Sequence, residues 1–258
     1  EFINLSLMIK LPFSAQNPLE QFELTPLLDI YSSSVDLSFT NSSLITLMAI
    51  TFFVLMARLV FYTGNGTVIP NRYQSVLESM YELVAGLLND NVGTRGQGFF
   101  PFIFTLFAFL LMVNLIGMVP YSYTITSQLI VTLLFSGMVY LGVTMIMVST
   151  HGFHTLSVFL PGGSPFALYP LLIPIEIISN VMRVVSLAVR LFANMMAGHI
   201  LLKVLLGFAW TMMMAQGIMF IAHMIPMGVV FVLLFLETGV AVIQAYVFVT
   251  LTCIYLNE

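Results

Sequence analysis

Between Leu168 and Gly207 the chain reads LYPLLIPIEIISNVMRVVSLAVRLFANMMAGHILLKVLLG, apolar enough for a bilayer and yet carrying Glu176, Arg183, Arg190, His199 and Lys203. Ionised groups in hydrocarbon are costly, at least about 2.5–3.5 kcal/mol for Arg or Lys at a helix centre, so they normally face a protein interior or a wet path. From Gly96 to Asn257 the acidic and basic residues are Glu176, Arg183, Arg190, Lys203 and Glu237. With 60% hydrophobic residues, 7% charged residues and a mean hydropathy of +1.05, this is the composition of a polytopic membrane protein.

Composition also narrows function. The net charge of −4 comes mainly from the N-terminal third, and the absence of a basic cluster argues against nucleic acid. A single cysteine, Cys253, excludes an internal disulfide and a multi-cysteine metal site. No GxxxxGK[ST] phosphate cradle occurs, so direct nucleotide binding is not expected. His151 and His154 stand three apart in a connector without acidic or thiol partners, and neither a metal nor a cofactor is expected. There is no internal repeat.

In chain order, residues 1–15 hold an apolar run too short to span, which reads as the remnant of a leader. The polar residues 16–43 complete an extramembrane segment, 1–43, ahead of a single membrane domain, 44–258. Spans are predicted at 44–62, 99–119 and 129–148. Between the first two, residues 72–89 show helical periodicity with Glu78 and Glu82 on the polar side, as for a helix on the membrane surface or against a partner. Asn114 is deep in the second span, where a buried amide commonly joins helices. Residues 151–166 form a connector with turns at Pro161-Gly162-Gly163 and Ser164-Pro165.

Geometry organises the remainder. At about 100° per residue, Glu176, Asn180, Arg183, Arg190 and Asn194 share a stripe roughly 80° wide, while His199 points about 180° from Arg190. Residues 168–207 as one helix would measure about 60 Å, twice the ~30 Å hydrocarbon thickness. A long, strongly tilted helix is therefore expected, with Gly198 as a bend. Residues 209–256 form a second long helix, with Gly217 and Pro226 as bends and Glu237 and Gln244 on one face. The fold class is all-α, with a tilted, membrane-embedded helical hairpin in the C-terminal half.

Glu176 and Arg183 can form a structural ion pair or belong to a proton path. Arg190 has Ser186, Leu187, Ala193 and Asn194 at i±3 and i±4, so its counter-charge must come from elsewhere. Lys203 reads as a snorkelling side chain and His223 as an interfacial residue. His199 and Glu237 are candidate proton carriers, since imidazole titrates near neutrality. An antiporter would show inverted repeats and Gly/Pro-broken helices, and a haem subunit would need paired axial histidines. Neither pattern is present in the sequence.

SLAVRLFANMMAGHILL at 186–202 closely resembles the signature of subunit a of F-type ATP synthases. PIEIIS at 174–179, NLIGMVPYSY at 114–123, ETGVAVIQAYVFVTL at 237–251 and NPLEQFEL at 17–24 extend the resemblance over nearly the whole chain. It implies a stator subunit, not an enzyme by itself, holding a tilted hairpin against a rotating ring of c subunits. On this resemblance Arg190 matches the essential arginine between two offset proton half-channels. His199 and Glu237 match the inlet side, Glu176 with Arg183 the outlet side, and Gln244 the glutamine near the arginine, with Asn180, Asn194 and Asn114 as supporting polar groups. His199 and Glu237 have the arrangement of mitochondrial members, which implies the mitochondrial inner membrane. The implied partners are the c-ring, the peripheral stalk, small membrane subunits and the bilayer. Ala188-Val189 departs from the Gly-Leu common before the arginine.

Overall fold

The computed structural model describes residues 22–28, 31–32, 35–36, 38–64, 70–119, 122–152, 169–214 and 221–257. The leader-like run 1–15, His154, the turns at 161–165 and Gly217 lie outside the described residues.

Two small antiparallel ladders precede the first helix. Strand β1 (Pro26–Leu28) pairs with β4 (Phe39–Thr40), and β2 (Tyr31–Ser32) pairs with β3 (Val35–Asp36). Helix α1 (Asn41–Gly64) then starts on a side-chain cap, in which the Thr40 N–H donates to Ser43 Oγ at 3.1 Å and Ser43 Oγ donates to the Thr40 carbonyl at 2.6 Å. One orphan donor at the helix head is satisfied locally in this way.

Helix α2 (Arg72–Asn91) is amphipathic, with one side buried against the bundle and the other exposed. Its buried Met80, Val84, Leu87 and Leu88 pack with Ile103, Phe107 and Leu110 of α3 (Phe100–Gly117) and with Phe248, Val249 and Cys253 of the last helix. The apolar side of the helix expected at 72–89 therefore packs on the chain's own spans. Gly93, at φ 73°, ends α2 in the left-handed region where a side chain would be strained. A 3₁₀ turn, Thr94–Phe99, leads into α3.

Helix α3 is apolar all round, which matches its place at the centre of the bundle against α1, α2 and the last helix. A second 3₁₀ turn, Ile125–Ser127, links it to α4 (Leu129–His151). Helix α5 (Tyr169–Met214) is a single uninterrupted helix of 46 residues, and α6 (Met224–Asn257) has 34. Pro226 lies in the first turn of α6, where a missing N–H costs least, whereas Pro174 lies in the second turn of α5 and leaves the carbonyl of Pro170 without its i+4 donor.

Among the described residues five helices, all except α2, are long and apolar enough to cross a membrane. Helix α5 is about 69 Å long against a hydrocarbon core of about 30 Å, so only a steep tilt keeps its length within the membrane. Helices α5 and α6 pack antiparallel: Gly198 lies against Glu237, and Ala188 and Leu191 share a cavity wall with Phe248. Helix α4 packs against α5 and also touches α6. The fold is thus all-α in its membrane part, with the long C-terminal helices anticipated from the sequence.

Asn114 is fully buried and donates through Nδ2 to the carbonyl of Ala241 on α6 at 3.3 Å. It joins α3 to α6, the helix-joining role expected of an amide deep in a span. Asn114→Ala should lower packing stability by about 1–2 kcal/mol, read as earlier unfolding in mixed detergent micelles. An unchanged unfolding midpoint would show that the bond contributes nothing.

Candidate functional site

The site is built on the α5–α6 pair. Arg190 projects from the exposed side of α5, with Ser186, Ala193 and Ala197 exposed around it at helical spacing. Small residues leave the guanidinium standing above a low surface that another helix could approach closely. Among the described residues Arg190 has no ion pair and no hydrogen bond. That isolation, in a helix of this length and apolarity, is the site's main electrostatic fact.

The predicted polar stripe does not share one environment. Asn180 is buried with Oδ1 unpartnered, Glu176 and Asn194 are half-buried, and Arg183 and Arg190 are exposed. A helix of ~69 Å passes different neighbours along its length, so one angular stripe meets several surroundings. Arg183 Nη2 stands 3.8 Å from Glu176 Oε1, with both side chains more than a third exposed. The i, i+7 pair anticipated from spacing is therefore present but loose.

The opposite direction holds the second group. His199 is 8% exposed, its ring meets the backbone of Gly117 at the end of α3, and Nε2 has no hydrogen-bond partner among the described residues. Both carboxylate oxygens of Glu237 also lack partners there. The two residues line one cavity of about 210 Å³ together with Asn194, Met118 and Gly198. Buried polar atoms are almost always satisfied by protein or water, and one water needs only ~10–15 Å³ of such volume. The cavity has room for a hydrogen-bonded water file between imidazole and carboxylate.

Gly198 makes this proximity possible. A Cβ built there would lie 2.8 Å from the Glu237 Cδ and closer still to Oε1, so the carboxylate rests on bare α5 backbone. The sequence suggested a bend at Gly198; what the structure uses is its lack of a side chain. Gln244 is buried on α6 with Oε1 unpartnered, and no hydrogen bond joins it to Arg190 among the described residues. Lys203 and His223 are half-buried, outside the cavity wall.

Two groups went unread in the sequence. Met118 lines the cavity from the end of α3, and Phe22 sits 6.4 Å from the His199 ring, centroid to centroid. Neither carries a local signal, because both contacts depend on how distant segments meet. His151 closes α4 and His154 lies outside the described residues, so their pairing has no structural description.

A multi-span helical protein with an arginine that has no ion pair among the described residues on a long helix, and beside it a mostly apolar cavity lined by a carboxylate, an imidazole and an amide, has the class features of an intramembrane ion-handling subunit. The family model described as ATP synthase A chain matches residues 43–257. ATP synthase subunit a of Pylaiella littoralis is 51% identical over 242 residues, covering 94% of this chain and 97% of that protein. The Chondrus crispus subunit a is 46% identical, covering 95% and 96%, and that of the bacterium Rhodospirillum rubrum is 46% identical, covering 94% and 97%. The chain belongs to the ATP synthase subunit a family.

Gly198→Ala should displace the Glu237 carboxylate while leaving helix and assembly intact. Proton-driven ATP synthesis in membranes should then fall by about tenfold or more, since shifts near 1 Å at a working group have effects of that order. Synthesis at the original rate would show that Glu237 does not depend on the Gly198 contact.

Proposed function

We propose that this chain is the stationary, proton-conducting subunit of a mitochondrial F-type ATP synthase, presenting two offset half-channels to a rotating c-ring. It acts within the complex and is not an enzyme alone. The observation that carries this reading is Arg190, exposed among small residues with no counter-charge of its own among the described residues. A passing ring carboxylate supplies that charge. The guanidinium favours the carboxylate in its ionised form, whereas the same carboxylate in dry surroundings holds its proton. Each ring site therefore loses its proton near Arg190 and regains one before re-entering lipid.

His199, Glu237 and Asn194 line the inlet half-channel, through the water-sized cavity between α5 and α6. Glu176 and Arg183, two turns or more before Arg190, stand on the outlet side. Asn180 and Gln244 offer unpartnered buried oxygens along the way, and Asn114 fixes α6 in register. Arg190 blocks direct passage between the halves, because a permanently protonated cation repels a proton and cannot relay one. Each proton crossing the field contributes about 2.3 kcal/mol per 100 mV, so several steps together drive one synthesis event. The mitochondrial setting is supported by the algal and plant relatives, and the peripheral stalk and small membrane subunits complete the set of partners.

Replacing Arg190 by Ala in otherwise intact membranes tests this directly. Synthesis should stop, the ring should remain assembled, and passive proton leak should rise as the barrier is removed. Arg190→Lys should retain the barrier poorly, since a desolvated ammonium gives up its proton far more readily. Synthesis near the original rate in Arg190→Ala would overturn the reading. Glu237→Gln, which keeps shape and removes the titrating proton, should slow synthesis without raising leak; equal leak in both variants would erase the distinction between barrier and carrier.

A further inference from the structure

Ahead of α1 lies a short segment that the proton path described so far does not use. Phe22 meets the His199 ring edge-on, with centroids 6.4 Å apart and ring planes at 66°. That spacing falls inside the ~4.5–7 Å range of favourable aromatic pairs. The segment carrying it is tied to the head of α1 at several points. Asn41 Nδ2 donates to the Glu23 carbonyl at 3.1 Å, the Asn41 N–H donates to the Thr25 carbonyl at 3.2 Å, and β1 pairs with β4 beside Asn41. Phe22 is therefore one residue from an anchored carbonyl.

The direction of approach matters. His199 reaches the backbone of Gly117, the last residue of α3, and Met118 lines its cavity. The N-terminal strap, residues 22–28, meets the bundle at the same end, where α1 begins. The side chains of Glu23 and Leu24, beside the carbonyls that Asn41 holds, are exposed, whereas Phe22 is half-buried and turned onto the imidazole. His199 is left 8% exposed, with the cavity on its other side.

We propose that Phe22 is a positioning residue for His199: the strap seats its ring against the imidazole on the side away from the inlet cavity. This rests on His199 being a proton carrier, but the shielding itself can be read without proton transport. With Phe22 in place the imidazole is held in the cavity wall, and water reaches Nε2 from the cavity. Without it, the ring is open to the aqueous end of the bundle.

The test uses the assembled complex in membrane vesicles and diethyl pyrocarbonate, which acylates neutral imidazole nitrogens. Modification of His199 is followed by mass spectrometry, with His223 as internal reference. Phe22→Ala should accelerate His199 modification by about three- to tenfold, the factor expected for losing one aromatic contact. Asn41→Ala, which unties the strap at Glu23, should act in the same direction, and Phe22→Tyr should restore protection. ATP synthesis should fall in Phe22→Ala and return in Phe22→Tyr. If Phe22→Ala does not assemble, Phe22→Leu takes its place, with the same acceleration expected from loss of the ring edge. Unchanged His199 rates in both the Phe22 and Asn41 variants would overturn the proposal, as would an equal rise at His223, which signals general loosening. Acceleration with undiminished synthesis would overturn His199 as a carrier, and the positioning role of Phe22 with it.

Discussion

A guanidinium that carries its charge into an apolar helix without an acidic partner sets the terms for the rest of this molecule. Leaving such a group in hydrocarbon is unfavourable by several kcal/mol, and no deprotonation relieves it. Within the described residues the chain does not neutralise Arg190, although it has a carboxylate, Glu176, that it commits instead to Arg183. The arginine is kept exposed on a surface of small residues, Ser186, Ala193 and Ala197. A face of that kind is stable in a membrane only against a partner that brings negative charge.

Other features support this arrangement. Helix α3, apolar on every side, gives α6 a rigid bed and locks its register through the Asn114 bond to Ala241. The small, fully buried Ala241 and Ala245 let α6 approach its neighbours closely. One turn before that bond, Glu237 comes to rest on Gly198, facing a cavity that also takes His199 and Asn194. The Arg190 and His199 side chains thus leave α5 in opposite directions, about 13 Å apart along its axis at ~1.5 Å per residue, while Asn194 and Ala197, on the Arg190 side, also reach the wall of the His199 cavity. The separation between an outward arginine and an inward imidazole is built into α5 itself.

Much of this was legible in the sequence, because intramembrane charge is rare and helical period is strict. The all-α class, the long C-terminal helices and the opposed directions of Arg190 and His199 followed from spacing and hydropathy alone. What did not follow depended on contacts between segments far apart in the chain. The stripe through Glu176, Asn180, Arg183 and Arg190 was one face by angle but half-buried, buried and exposed by turns in the fold, since the neighbours of a helix this long change along its length. The apolar side of α2 called for a cover without specifying it, and the fold supplies α3 and α6. Phe22 sits in a polar segment with no periodicity to mark it, and its meeting with His199 becomes visible only once Asn41 has tied the strap down.

The central claim is that the Arg190 face is covered by ring helices and not by lipid. Labelling Ala193→Cys with a membrane-permeant maleimide tests it most directly, and Cys253 is fully buried and should stay silent. In the intact complex the introduced thiol should be protected, and should cross-link to a cysteine placed one turn from the ring carboxylate. In the subunit stripped of its ring it should label freely. Equal labelling with and without the ring, and no cross-link, would mean that Arg190 faces lipid and that the motor reading of this helix is wrong.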